Sequence, residues 1–110
     1  RLAVHLEGKG LLPAGASARP EDLDPATILD AVLDDLTDSP ADLLLLNVED
    51  LWLETLSQNA PGVPGHPDFQ RRLRHGHDAL IAHPEVQRRL ARVIERRPST
   101  DQILARARER

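Results

Sequence analysis

Polar side chains that could bind a ligand are concentrated in the middle of the chain, where an acidic pair precedes a loop rich in proline and glycine. Glu49 and Asp50 follow an apolar run, and Asn59, whose side chain can both donate and accept hydrogen bonds, lies in the loop. Pro61 restricts the backbone there, while Gly62 permits positive φ or the close approach of a ligand. The loop is either a rigid connector between helices or a preformed binding loop, and the residues alone leave both open.

No other pattern in the chain indicates a catalytic or metal centre. His75 and His77 are two residues apart and His83 follows, whereas metal ligands on one helix face are three or four residues apart. The sequence has no nucleophile elbow, zinc-binding His-Glu-x-x-His helix, P-loop or dinucleotide-binding glycine pattern. Its 18 acidic residues form many carboxylate pairs by chance, so spacing alone identifies no general acid or base.

Charge is divided unevenly along the chain. Residues 1–68 carry 13 acidic and 3 basic side chains, whereas residues 69–110 carry 5 acidic and 11 basic ones. A basic segment is one sign of nucleic-acid binding, but Phe69 is the only aromatic residue of this half, so platforms for base stacking are missing. We expect the arginines to form a solvated or protein-facing helix surface, and we expect no nucleic-acid partner.

The apolar content of the sequence does not indicate a membrane protein. No apolar run approaches the roughly 20 residues that cross a bilayer, and no signal-peptide pattern is present. The absence of Cys excludes disulfides and thiolate metal sites. We therefore expect no membrane partner and a cytoplasmic location.

The clearest predicted element is a helix that begins after Asp24, a good N-cap residue, with Pro25 at its first position. One apolar stripe is predicted along it, formed by Ile28, Leu29, Val32, Leu33 and Leu36. Its aspartates are predicted to face solvent, namely Asp30, Asp34, Asp35 and Asp38. Other helical patterns lie before Gly8 and at about 49–56, 68–82, 84–97 and 100–110.

The apolar run in "ADLLLLNVED" predicts a strand buried on both faces at about residues 42–48. A strand needs hydrogen-bonding partners along its edges, and the chain offers no second strand of similar quality. We therefore expect this strand to belong to a sheet whose other members lie outside these residues.

The segment "DSPADLLLLNVEDLWLETLSQNAPGVPGHPDFQRRL" resembles the C-terminal barrel segment of the amylomaltases, the 4-α-glucanotransferase (disproportionating enzyme) family. The matching pieces are Ser39-Pro40, Val48-Glu49-Asp50-Leu51, Asn59-Ala60-Pro61-Gly62 and the stretch from Pro67 to Leu73. The resemblance covers about residues 24–74. Two features depart from the family pattern: Asp68-Phe69 replaces its Asn-Trp, and Trp52 to Glu54 replace the Gly that follows its acidic segment.

The resemblance implies an α/β fold in which the chain forms the C-terminal end of a (β/α)8 TIM barrel, with one buried strand and four or five helices. By itself the chain would be mostly helical. Residues 1–23 would be a helix end and connector, residues 24–68 the last helix-strand-loop unit of the barrel, and residues 69–110 the C-terminal helices.

The resemblance also implies an activity, the transfer of α-1,4-glucan units between maltodextrins by a retaining double displacement without a cofactor. The catalytic carboxylates would lie upstream of this chain, which would be inactive alone. Its implied partners are maltodextrins and the rest of the catalytic barrel. The residues implied to lie near the bound glucan are Asn59, Pro61, Gly62, Glu49 and Asp50.

A second class of function remains open, that of a free-standing helical interaction module without catalytic activity. In such a module the acidic N-terminal half would pair with the chain's own basic half or with a partner protein.

Overall fold

The computed structural model describes residues 1–109, and among these residues it contains helices and no strand. The α-helices are α1 (Leu2–Gly8), α2 (Pro25–Thr37), α3 (His77–Ile81), α4 (Pro84–Arg96) and α5 (Thr100–Arg108). Short 3₁₀ helices span Ala16–Ala18, Pro20–Asp22 and Val48–Trp52. Just over half of the chain is helical, which confirms the mostly helical character expected of it. None of the described helices combines the length and apolar character needed to cross a membrane.

The ends of the longer helices follow their predicted capping residues. The Asp24 side chain accepts a hydrogen bond from the Ala26 N–H at 3.2 Å, with Pro25 at the first position of α2. Before α5, Ser99 and Gln102 form a reciprocal capping box with distances of 3.3 and 2.8 Å. The predictions of α2, α4 and α5 are thus confirmed, except that the predicted end at residue 110 lies outside the described residues.

The predicted helix at 68–82 is wrong over its first part, because only α3 is helical there. The Phe69 backbone has a φ of 56°, outside the helical region, and its N–H donates to the Gln58 carbonyl at 2.6 Å. The segment that follows is held by side-chain contacts of Arg71 and Arg74 to earlier residues rather than by helical hydrogen bonds. Long-range contacts therefore override the local helical pattern.

The predicted buried strand at 42–48 is also wrong. Residues 43–47 have no regular structure, and Leu43 and Leu45 are 72% and 82% exposed. Within the described residues, the backbone from Leu43 to Leu46 makes no hydrogen bond. A strand requires a paired neighbour, and no segment of residues 1–109 pairs with this one.

Helix α2 lies between two small hydrophobic clusters, so its apolar residues face in two directions. Leu33 packs in one cluster, with Leu51, Trp52 and Val86. Ala31 packs in the other, with Leu6 and Leu12 from the N-terminal region. The prediction of a single buried stripe is only partly correct. The apolar residues of α2 divide between two clusters, and the last predicted member, Leu36, is exposed.

The described residues bury little of their apolar surface. The Cα radius of gyration is 17.0 Å, whereas a compact domain of about 100 residues has a value near 13 Å. Seven apolar residues are buried among residues 1–109, while thirteen large apolar residues are exposed. The chain therefore presents much apolar surface to its surroundings.

Helices α2 and α4 are joined by a series of ion pairs, which we call the Asp–Arg ladder. The pairs are Asp30 with Arg88 and Arg89, Asp34 with Arg92 and Arg96, and Asp38 with Arg96. Because the pairing order rises along both helices, α2 and α4 run in the same direction. The prediction that these aspartates face solvent is wrong for Asp34, which is buried, and only partly correct for Asp30, which is half-buried, whereas Asp38 is exposed as predicted.

The remaining aspartate of the set, Asp35, lies on another side of α2 and contacts α1 and its C-cap. His5 Nε2 and Lys9 Nζ lie 2.8 and 2.5 Å from its carboxylate oxygens. These hydrogen bonds, that of Lys9 foremost, lower the pKa of Asp35. Ion pairs thus hold α2 from both sides.

Candidate functional site

An open groove of about 490 Å³ lies beside the 3₁₀ helix Val48–Trp52. Its lining residues are Asn47, Glu49, Asp50, Glu54, Thr55, Leu56, Ser57, Gln58 and Phe69. The volume falls within the range of about 300–1,000 Å³ typical of small-ligand clefts. Most of the lining side chains are polar, so the groove suits a ligand with many hydrogen-bonding groups.

One buried carboxylate of the groove, Glu49, has a structural role. Its Oε1 accepts a hydrogen bond from Arg71 Nη2 at 2.5 Å and a longer one from Gln58 Nε2 at 3.4 Å. The same Arg71 nitrogen donates to the Leu56 carbonyl at 2.8 Å. Glu49 is buried, and its hydrogen bond with Arg71 holds the segment around residue 71 against the 3₁₀ helix Val48–Trp52.

A second buried carboxylate, Glu54, is only partly satisfied. Its Oε1 accepts hydrogen bonds from the N–H groups of Thr55 and Leu56 at 2.9 and 3.0 Å, and from Arg74 at 3.0 Å. These contacts, led by the Leu56 N–H, outweigh burial and lower the pKa of Glu54. The Trp52 side chain makes a smaller contribution in the same direction. Within the described residues, the buried Oε2 of Glu54 makes no hydrogen bond of ordinary geometry, and Arg71 Nη1 lies 3.7 Å from it.

Asn47 and Asp50 are exposed residues of the groove lining. The Asn47 side chain caps the 3₁₀ helix by accepting from the Glu49 N–H at 3.4 Å, while its Nδ2 donates to Asp50 Oδ1 at 3.2 Å. Asp50 is exposed, so its carboxylate remains accessible to a ligand.

The loop beyond the groove is closed at its base by two hydrogen bonds. The Phe69 N–H donates to the Gln58 carbonyl at 2.6 Å, and the Ala60 N–H donates to Asp68 Oδ1 at 2.9 Å. His66 Nδ1 lies 2.6 Å from the same Asp68 oxygen. The Ala60 N–H and then His66 lower the pKa of Asp68. Residues 58–69 thus form a compact Ω-loop.

The predicted site residues divide into two groups. Glu49 and Asp50 line the groove. Asn59, Pro61 and Gly62 lie in the Ω-loop outside it and are exposed. The Asn59 side chain makes no hydrogen bond within residues 1–109. Gly62 has a positive φ of 79°, a conformation that glycine readily adopts.

Sequence reasoning missed seven of the groove's nine lining residues, namely Asn47, the five residues from Glu54 to Gln58, and Phe69. Asn47 had a readable signal, because Asn is a favoured helix cap and Glu49 and Asp50 fall in the first turn that follows it. Gln58 and Phe69 had none, since the contact that joins them depends on how the loop closes.

Two of the histidines come together behind the groove, although they are not adjacent in sequence. The ring centroid of His75 lies 5.1 Å from that of Trp52 and 5.0 Å from that of His83, both in edge-to-face arrangements. Across the part of the chain that the structure describes, no group of three or more potential metal-binding side chains occurs. The histidines thus form a packing cluster with Trp52.

No protein-family model, curated protein or solved structure matches this chain.

Proposed function

We propose that this chain forms the C-terminal part of a 4-α-glucanotransferase, which moves α-1,4-glucan units between maltodextrins by a retaining double displacement. One observation carries the proposal: separate pieces of the resembling segment converge around one polar groove. Glu49 comes from the acidic piece and binds Arg71 from the last piece, while Phe69 of the last piece is bonded to Gln58 beside Asn59.

The surface of the chain supports a role as part of a larger protein. The backbone of Leu43 to Leu46 is unpaired within residues 1–109, and two of its leucines are almost fully exposed. Burying such a segment against neighbouring strands would satisfy its N–H and C=O groups and remove apolar surface from water. In this proposal the neighbours are the other strands of a TIM barrel, which also carry the catalytic carboxylates.

The contribution of this chain to the reaction is substrate binding. Asn59, whose amide is free of hydrogen bonds within the described residues, would bond a sugar hydroxyl or orient a catalytic neighbour. Pro61 and Gly62 would keep the Ω-loop in shape beside the glucan. Asp50 would accept a hydrogen bond from the substrate, and Glu49 would hold the loop through Arg71. No cofactor is needed, and the proposed location is the cytoplasm.

The test is incubation of the intact protein that contains this chain with maltotriose. Glucose and longer maltodextrins are the expected products, whereas residues 1–110 alone should give none. An intact, folded protein that leaves maltotriose unchanged would refute the proposed activity.

A second candidate, a free-standing helical interaction module, is favoured by the Asp–Arg ladder. The ladder pairs the acidic half of the chain with its own basic half, as such a module would require. Circular dichroism of residues 1–110 during heating distinguishes the two candidates. A sharp cooperative melt would favour the module, whereas a partly unfolded, aggregating chain would favour the barrel segment.

A further inference from the structure

Two histidine rings, one on each side of α3, pack together beside Trp52. The Trp52 side chain is part of a hydrophobic cluster and is 9% exposed. The His75 ring meets the indole edge to face at 5.1 Å, and the His83 ring meets that of His75 at 5.0 Å. Leu80 of α3 packs against the same cluster. These contacts hold residues 75–83 against the core.

The position of His83 favours an uncharged ring. Its Nδ1 is buried and has no hydrogen-bond partner within residues 1–109. A neutral imidazole can leave this nitrogen as a bare acceptor, whereas a protonated imidazole places there an N–H group that needs an acceptor. His83 is also the N-cap residue of α4, a 13-residue helix, so it lies at the positive end of the helix dipole. Both features oppose the uptake of a proton.

The carboxylates on the elements that pack with the two rings already have other partners. The pairs are Glu49 with Arg71, Asp50 with Asn47, Glu54 with Arg74, Asp78 with His77, and Glu85 with Arg88 and Arg89. The buried cation of α4, Arg89, donates to the carbonyl of Leu51, the residue before Trp52. A charge on His83 would also repel a charge on His75 at this short distance. The surroundings therefore offer little to offset a proton on His83.

We propose that His83, packed on His75, is a pH-sensitive switch that holds residues 75–83 beside Trp52 near neutral pH and releases them in mild acid. A solvated imidazole takes up its proton between pH 8 and 5, whereas the packed ring resists it. Because the released form binds the proton in preference, lowering the pH shifts the equilibrium toward release. Helices α2 and α4 stay together in this range, since Arg89 and Arg88 keep the pKa of Asp30 below its ordinary value.

The test is hydrogen–deuterium exchange of the intact protein between about pH 7.5 and about pH 5, with each rate corrected for the intrinsic exchange rate at that pH. A histidine that binds its proton only in the released form favours release by roughly 30-fold over this range. We expect the peptide covering residues 74–84 to lose at least about tenfold of its protection. The α2 peptide should keep its protection. Circular dichroism should change little, because α3 has only five residues.

Two variants remove the proton-binding group at position 83. His83→Gln is uncharged throughout this range, and His83→Asn is uncharged and a favoured N-cap residue. The histidine that remains, His75, lies beside an indole, whose ring face attracts cations. Either variant that protects residues 74–84 at neutral pH should lose less than about threefold of this protection in acid.

The matched control is His77→Gln, the same change within the same segment. The His77 side chain is 81% exposed and pairs with Asp78 rather than with the other rings, so this variant should keep the pH profile of the wild type. A flat profile in the wild type, or a loss in the His83 variants equal to that of the wild type, would overturn the switch. It would also be overturned if both His83 variants left residues 74–84 unprotected at neutral pH, because ring packing alone would then hold the segment.

Discussion

Replacing Asp30 by Ala should loosen α2 from α4, because it leaves a buried guanidinium without its main partner. Arg89 is 2% exposed, and its Nε donates to Asp30 Oδ1 at 2.7 Å while its Nη1 donates to the Leu51 carbonyl at 2.7 Å. Burial alone would raise the pKa of Asp30, but Arg89 and Arg88 outweigh it and lower that pKa. The ionised pair therefore stabilises the folded chain.

The expected loss follows from the burial of the pair. Removing one partner of a fully buried ion pair costs about 3–5 kcal/mol. The Asp30 side chain is 24% exposed, and Glu85 Oε2 lies 3.5 Å from Arg89 as a substitute acceptor. We therefore expect Asp30→Ala to lower the free energy of opening of α2 and α4 by a smaller amount, about 2–3 kcal/mol. This loss corresponds to roughly 30- to 150-fold faster hydrogen exchange of the two helices.

The matched control is Asp38→Ala, the same change two turns further along α2. The Asp38 side chain is 55% exposed, and its partner Arg96 also binds Asp34. Loss of the Asp38–Arg96 ion pair should cost less than about 1 kcal/mol, which corresponds to less than about fivefold faster hydrogen exchange. Hydrogen–deuterium exchange of the α2 and α4 peptides in the intact protein measures both variants. Equal effects of Asp30→Ala and Asp38→Ala would refute the reasoning that burial sets the strength of each pair.

Three further predictions concern the loop and the acidic residues. Asn59→Ala should lower maltotriose disproportionation at least about tenfold by removing a substrate hydrogen bond; unchanged kinetics would remove Asn59 from the site. Asp68→Asn keeps the acceptor for the Ala60 N–H, so hydrogen–deuterium exchange of residues 58–69 should stay within a few-fold of the wild type. Asp68→Ala removes the acceptor and should speed this exchange about tenfold. Equal effects of the two variants would show that this hydrogen bond does not close the loop. The lowered pKa values of Asp30 and Glu54 add stability above their ordinary values of 3.8 and 4.5, and this stability is lost as pH falls below them. Circular dichroism should therefore show helix loss beginning below pH 4.5, and an onset near neutral pH would contradict this assignment.

Local signals predicted the helices whose ends depend on neighbouring residues. Asp24 with Pro25 marked the start of α2, and Ser99 with Gln102 marked the start of α5, because a cap acts within one turn. The Asp–Arg ladder also had a signal that was missed. Asp30, Asp34 and Asp38 recur every four residues, as do Arg88, Arg92 and Arg96, and two matching series of opposite charge can pair along neighbouring helices.

The features that the sequence did not predict depend on contacts between distant residues. The irregular path after Asp68 is set by the bond of Phe69 to Gln58 and by the reach of Arg71 to Glu49, neither of which leaves a periodic pattern. The apolar run at Leu43 to Leu46 was read as a buried strand, but within residues 1–109 nothing pairs with it. Apolar periodicity indicates what a segment is able to bury, not whether a neighbour is present.

The most direct test of the central claim is a product analysis of the intact protein incubated with maltotriose. A glucanotransferase joins two residues of one maltotriose to a second maltotriose, so glucose and maltopentaose should form in equal amounts at early times. Glucose and maltose without any longer product would indicate hydrolysis, and unconsumed maltotriose would indicate no glucan chemistry. Either result would contradict the proposal that this chain completes a glucan-transferring barrel.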